Sequence, residues 1–386
     1  MAFAAHEPAQ AVAVVQRVQS RALARSLELP VLGGNRAQLL HGLAPSWGHV
    51  LEAIGQARDH VNLEGPLPAG AAFDAWLERL ASACRRDVHV NAMLDSPLGS
   101  NVVARLRRVG IRVCGPAPVE SAWSWWHEGD RPSEPRTLVV IDGRIAFIGM
   151  LEGNRAPGDA VRGGLAPRLL RIEGPAVAEL QWMFVDAWRQ RTDGPMPAGR
   201  HFPPLPWIGE QRVGLAPGGS DAELSSAARA LLGALDAAQD RALLIAEPHL
   251  PPRPLEAAVA AASSRGVDVH VLMADDGHRL LPPRRGAALQ RAGAHVHVAR
   301  HQITAACSVI DGVWSSVALG RARIAGLARG EPDHVIVLDA SFAAEAQDAF
   351  VSEVERCGPE GSPRFAPPGA LQRLNLRLAK YLEVSL

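Results

Sequence analysis

The chain repeats itself, and an internal repeat limits what a sequence can fold into more than any local pattern does. "ARDHVNLEG" from Ala57 is matched by "AQDRALLIAEP" from Ala238, 181 residues later. "RRDVHVNAMLD" from Arg85 is matched at the same offset, Val88 to Val269, by "SRGVDVHVLMAD" from Ser264. "RRVGIRV" from Arg107 is matched by "QRAGAHV" from Gln290, an offset of 183. Each copy closes on an apolar run, an Asp-Gly turn and a second apolar run: "PRTLVVIDGRIAFIG", Pro135 to Gly149, and "AACSVIDGVWSSVALG", Ala305 to Gly320. The offset between the turn residues Asp142 and Asp311 drops to 169, so the first copy carries about a dozen extra residues before its hairpin. They include "SAWSWWHEGDRPSEP", Ser121 to Pro135.

Helical apolar spacing in "AAFDAWLERLASACRR" and "LEAAVAAASSRG" alternates with short β-rich runs such as "VDVHVLM". The expected unit is helix, strand, helix, strand, helix, strand, then hairpin, with βαβ crossovers and a mostly parallel sheet. Two α/β halves follow. "TDGPMPAGRHFPPLPW", Thr192 to Trp207, is rich in Pro and Gly, belongs to no periodic segment, and reads as the link between them. The expected organisation is an N-terminal helical segment over 1–40, a first half over 41–195, a linker over 196–209, a second half over 210–360, and a basic amphipathic tail over 361–386.

Composition narrows the function classes. At 47% hydrophobic and 21% charged residues, the chain has the balance of a globular protein. Forty basic residues cancel forty acidic ones, which leaves no global field to draw nucleic acid. The four cysteines, Cys84, Cys114, Cys307 and Cys357, form no C-x-x-C pair, so neither a zinc centre nor a disulfide framework is expected, and a reducing cytoplasm fits. No run reaches the roughly 18 apolar residues of a spanning helix, and the N-terminus lacks a signal-peptide pattern. No cofactor is indicated.

The ordered pieces "LGGNRAQLLHG", "VLEAIGQARDHVNLEG", "RLLRIEGPAVAELQWMFVDAWRQRTDG", "EPHLPP", "AAASSRGVDVHVLM" and "QRAGAHVHV" resemble the phospholipase D superfamily, most closely its bacterial cardiolipin synthase branch, over most of the chain. The resemblance implies two pseudo-symmetric phospholipase D-like α/β/α halves packed around a shared central cleft. It also implies a His-x-Lys-x-x-x-x-Asp motif in each half. In that family one imidazole attacks phosphorus and the other protonates the leaving alcohol, while lysines and asparagines hold phosphoryl oxygens.

Here the histidine positions are Pro135 and Thr304, the lysine positions are Thr137 and Ala306, and only Asp142 and Asp311 remain. The asparagine positions fall near Glu152 and Arg321. No register restores the motif, because Lys380 in the tail is the single lysine of the chain. The expectation is a catalytically degenerate relative with a binding, regulatory or scaffold role. The alternative is an active phosphatidyltransferase or phosphodiesterase with a rebuilt site, for which His127 and His301 are the candidate substitutes and Arg136 and Arg321 the candidate cations. Against it, displacing a nucleophile by about 1 Å costs on the order of 100-fold. The surviving aspartates also have a local explanation, since Asp-Gly is a standard hairpin turn.

Trp123, Trp125 and Trp126 in the insertion are read either as the rim of a lipid or ligand pocket or as a loop packed onto the domain. His89 and His270 occupy matched strands and read as structural. His295 and His297 share one strand face, but the sequence offers no third metal ligand. Arginine stripes at Arg17, Arg21 and Arg25, and at Arg373, Arg377 and Lys380, suit either a solvated helix face or an anionic membrane surface. Together with the family resemblance they suggest peripheral attachment to the inner face of a membrane, with anionic phospholipid or a protein as partner.

Overall fold

The computed structural model describes residues 29–41, 43–65, 67, 71–94, 100–114, 137–150, 168–192, 194–197, 199–217, 224–245, 252–274, 282–299, 307–319 and 333–357. The first half runs β1 (Leu32–His41), α1 (Leu43–Gln56), β2 (His60–Glu64), α2 (Ala71–Cys84), β3 (His89–Met93), α3 (Ser100–Arg108), β4 (Arg112–Cys114), β5 (Thr137–Ile141), β6 (Ile145–Met150), β7 (Arg168–Glu173) and α4 (Val177–Thr192). The second half repeats that order: β8 (Gln211–Ala216), α5 (Ser226–Ala237), β9 (Arg241–Ile245), α6 (Pro252–Ser264), β10 (Asp268–Ala274), α7 (Pro282–Arg291), β11 (His295–Ala299), β12 (Cys307–Ile310), β13 (Trp314–Ala318), β14 (His334–Leu338) and α8 (Ala340–Arg356).

All fourteen strands among the described residues join in one sheet of order β11-β10-β9-β12-β13-β14-β8-β1-β7-β6-β5-β2-β3-β4. The halves meet where β1 pairs antiparallel with β8. Two expectations are corrected here. Each half opens with a strand and closes with a third antiparallel strand and a helix, none of which the unit read from the repeat contained; β1 also replaces the end of the helical segment expected over 1–40. The sheet is mixed rather than mostly parallel. Only β2-β3-β4 and β9-β10-β11 run parallel, through four of the thirteen described pairings. Crossover helices join the parallel strands, whereas the tight turns after Ile141 and Ile310 return β5 into β6 and β12 into β13 antiparallel.

Each element follows from its residues. In α6, Leu255, Val259 and Ala262 are buried at helical spacing. Ser225 caps α5 by accepting from the Ala228 amide at 3.0 Å, and Asp339 caps α8 by accepting from Phe342 at 2.9 Å. Three cores result. One face of the sheet carries a single core shared by both halves, with Phe184 of α4 and Phe350 of α8 against Leu138, Val140, Val309 and Val337. The opposite face carries two separate cores, around Trp76 under α1 to α3 and around Trp314 under α5 to α7. Helices therefore flank both faces of each half.

The segment expected to be a linker does more than connect. It seats on the first half: the Ile208 amide donates to the Gly34 carbonyl at 2.8 Å, and the Arg200 amide donates to Asp59 at 2.7 Å. A Cβ at Gly34, whose φ is +83°, would fall 2.7 Å from Trp207 Cγ. Gly34 thus makes room for the indole.

Candidate functional site

Strand β5 pairs antiparallel with β2, so its first residues lie at the carboxyl end of β2, with Glu64 opposite Leu138. β12 is placed likewise against β9. Ligands of open α/β sheets bind beyond such carboxyl ends. Among the described residues, the strands at these ends finish or start on Glu64, Met93, Cys114 and Thr137 in the first half, and on Ile245, Ala274, Ala299 and Cys307 in the second. None carries a cation for a phosphodiester. Thr137, where the resemblance implies a lysine, is 2% exposed and pairs with Gly149 inside the sheet.

Asp142 sits at the other end of β5. Five strand residues at about 3.3 Å each put it roughly 17 Å from Thr137. Its carboxylate is engaged there by backbone, accepting from the amides of Arg58 at 2.9 Å, Asp59 at 2.8 Å and His60 at 3.0 Å. Asp311 repeats the arrangement with Gln239, Asp240 and Arg241, at 2.9, 2.9 and 3.1 Å. Both residues adopt left-handed backbone, at φ 52° and 51°. Each aspartate anchors the start of a central strand, Asp142 that of β2 and Asp311 that of β9. Pro135, Arg136, Thr304, Ala306, His127, His301, Trp123, Trp125, Trp126, Glu152 and Arg321 lie outside the described residues, as do both arginine stripes.

The structure brings together a polar set that sequence reasoning missed. His60, fully buried, directs Nδ1 to Asp59 Oδ2 at 2.7 Å and Nε2 to Gln181 Oε1 at 3.4 Å. His201, from the linker, lies against it with ring centroids 4.5 Å apart. The His201 Nε2–H donates to the Pro197 carbonyl at 2.8 Å, which leaves Nδ1 to accept from Asn62 Nδ2 at 3.4 Å. Asn91 in turn donates to Asn62 Oδ1 at 2.8 Å, deep in the sheet. Burial lowers the His201 pKa, with His60 and His89 acting the same way against the Pro197 hydrogen bond and Asp59. Desolvation is the largest influence on Asp59 and pushes its pKa up, but the hydrogen bonds from His60 and the Arg200 amide, with the nearby imidazoles, outweigh it and hold the carboxyl low.

A cavity of about 410 Å³ opens beside this cluster, lined by Arg200, His201, Phe202 and Val185. His60 has no exposed surface, and its contact with His201, with that of Asp59 to the Arg200 amide, ties the linker to the start of β2. Its signal was present in the repeat: at the 181-residue offset, the strand positions of His60, Asn62 and Asn91 correspond to Arg241, Leu243 and Leu272. Asn62 and Asn91 in one copy stand against leucines in the other, which marks the difference.

A second cluster lies at the far edge of the other half. β10 and β11 pair in parallel with His270 opposite His295 and Leu272 opposite His297. His270 Nε2 is 3.0 Å from Asp268 Oδ1, and its Nδ1 is 3.1 Å from His297 Nε2. His270 therefore joins His295 and His297 in a group for which the sequence had shown no third partner.

No family model matches the chain. Cardiolipin synthase A of Salmonella paratyphi A is 27% identical over 266 residues, covering 64% of this chain and 53% of that protein. Cardiolipin synthase A of Pseudomonas putida is 24% identical over 389 residues, covering 94% and 77%. The chain spans about half the length of the Salmonella relative and of others from Proteus and Yersinia. Among solved structures, phosphatidylserine synthase of Haemophilus influenzae Rd KW20 has the same fold, with a TM-score of 0.57 and 10% identity over 95% of this chain and 97% of that one. Polyphosphate kinase from Porphyromonas gingivalis matches at a TM-score of 0.52 and 13% identity over 91% and 54%. The duplicated mixed sheet, flanked by helices on both faces, is thus a phospholipase D-like α/β fold. In sequence the chain is similar to cardiolipin synthases A.

Proposed function

We propose that this is a phospholipase D-fold protein of phospholipid metabolism that no longer performs the transfer reaction and acts instead as a binding, regulatory or scaffold protein at an anionic phospholipid surface. The observation that carries this reading is the single lysine, Lys380, in 386 residues. Neither motif has the ammonium that would hold phosphoryl oxygens as charge develops. Neither has its histidine, and losing the nucleophile of a coupled site costs roughly a million-fold. Thr137, buried within β5, supports the same reading.

The lipid side of the proposal draws on the cardiolipin synthase relatives and on surface chemistry. Trp182 and Phe202 are 54% and 52% exposed with rings 6.2 Å apart, and Trp207 is 81% exposed. Aromatic rings of this kind suit the boundary between lipid and water. No helix among the described residues is long and apolar enough to cross a membrane, so contact would be peripheral.

The test is lipid mass spectrometry after incubating the purified full chain with phosphatidylglycerol vesicles. The expected result is no cardiolipin, together with flotation on anionic vesicles. New cardiolipin that disappears in His127→Ala or His301→Ala would overturn the loss of catalysis, and absence of flotation would remove the membrane role.

A further inference from the structure

We propose that Asp268, His270 and His295 form a binding site for a divalent transition-metal ion of borderline softness, zinc above all. The site is independent of the lipid reading. It lies on β10 and the outermost strand β11, at the edge of the sheet.

Strand geometry makes the cluster. Residues two apart share a sheet face, which sets Asp268 beside His270 on β10 and His295 beside His297 on β11. The parallel register then sets His270 directly opposite His295. One oxygen or nitrogen from each of Asp268, His270 and His295 comes within 4.8 Å of the other two. Asp268 Oδ1 lies 3.0 Å from His270 Nε2 and 3.8 Å from His295 Nε2. A tetrahedral ion with bonds of about 2.0–2.2 Å holds its ligand atoms about 3.3 Å apart, between those two distances. Closing the remaining separation needs only a side-chain adjustment of His295, which is 68% exposed. Two imidazoles and one carboxylate are a donor set that suits zinc, and they leave a fourth position open to solvent.

The surroundings orient the ligands. Arg241 Nε donates to Asp268 Oδ2 at 3.1 Å, which fixes the carboxylate and leaves Oδ1 for the ion. His297 Nε2 stands 3.1 Å from His270 Nδ1, with the two ring planes parallel to within 3°. With Nδ1–H donating to His297, the His270 Nε2 lone pair points at Asp268 and His295. A histidine ligand usually donates its second nitrogen to such a partner.

The first half serves as an internal comparison. It keeps Asp87 and His89, but β4 begins at Arg112 opposite Asn91, where β11 sets His297 opposite Leu272. By that register Gly110 and Arg112 stand where the second half has His295 and His297. A glycine and a guanidinium offer no ligand, so the donor set belongs to the second half alone.

The experiment is calorimetric titration of the metal-free full chain with zinc chloride, with cobalt absorption to report coordination. One equivalent should bind. Asp268→Ala, His270→Ala and His295→Ala should each weaken binding at least tenfold, and His297→Gln about 10- to 100-fold by disturbing His270. His49→Ala should leave binding unchanged. Because His295 is exposed, His295→Ala remains informative even if the other variants fold poorly. Stoichiometric binding that survives His295→Ala and Asp268→Ala, or no binding by the unaltered chain, would overturn the site.

Discussion

The carboxylate of Asp142 accepts the backbone amide of His60 at 3.0 Å across 82 residues of sequence, and so fixes the point at which strand β2 begins. Asp311 holds Arg241 in the same way at 3.1 Å, at the start of β9. The residues that survive from the expected motifs are therefore bound into the architecture of each half, on the end of the sheet away from Thr137.

Replacing either aspartate should cost stability through this anchor. Asn tolerates the left-handed backbone of the turn but presents an amide where amide donors converge. Hydrogen bonds to charged groups contribute roughly 1.5–3 kcal/mol. Asp142→Asn and Asp311→Asn should each lower unfolding free energy by about 2 kcal/mol in urea titrations, and equal effects would reflect the equivalence of the halves.

The glycines that follow separate the halves. Gly143 and Gly312 both hold left-handed backbone, at φ +61° and +60°. A Cβ at Gly143 would fall 2.5 Å from the His201 carbonyl oxygen and 2.7 Å from Pro203 Cδ, whereas nothing lies within 4 Å of one at Gly312. Gly312→Ala should cost only the backbone preference, about 1 kcal/mol. Gly143→Ala should cost clearly more and should increase proteolytic cleavage within 194–210, because it pushes the linker from its seat. Equal costs would contradict that seating.

His334 gives a pH dependence of known sign. It is half-buried beside Ser316, its Nδ1 2.8 Å from the hydroxyl, and desolvation of the ring pulls its pKa to about 4 against a weaker upward pull from Asp333. The unfolded chain takes up this proton near pH 6.5, well before the folded chain does. The contribution is thus complete above about pH 6.5 and is lost as pH falls toward 4, by on the order of 3 kcal/mol. Urea melts between pH 7.5 and 4.5 should show a shallower decline for His334→Gln, which does not titrate.

Much of the fold is legible in the repeat. Two copies in matched order require two like halves, and the Asp-Gly turns locate β5-β6 and β12-β13 because few residues accept positive φ. β1 is harder to read. "LGGNRAQLLH" carries two glycines and an asparagine, which weaken strand propensity, and its strand state rests on neighbours β7 and β8 far away in sequence. The parallel expectation failed for a related reason. Strand-helix alternation reports the βαβ trios faithfully but says nothing of the antiparallel strands that carry the chain to the other half.

What the sequence determined by itself is duplication, the turn positions and the restriction of lysine to position 380, since each is a matter of order or of residue type. What the tertiary structure alone decided is which polar residues meet. His60 finds His201 because the linker folds back over β2, and His295 finds Asp268 and His270 because β10 and β11 pair in one register. A register shift of one residue would turn every such side chain to the other face, and that choice is made by the burial of a whole sheet rather than by any short stretch of sequence.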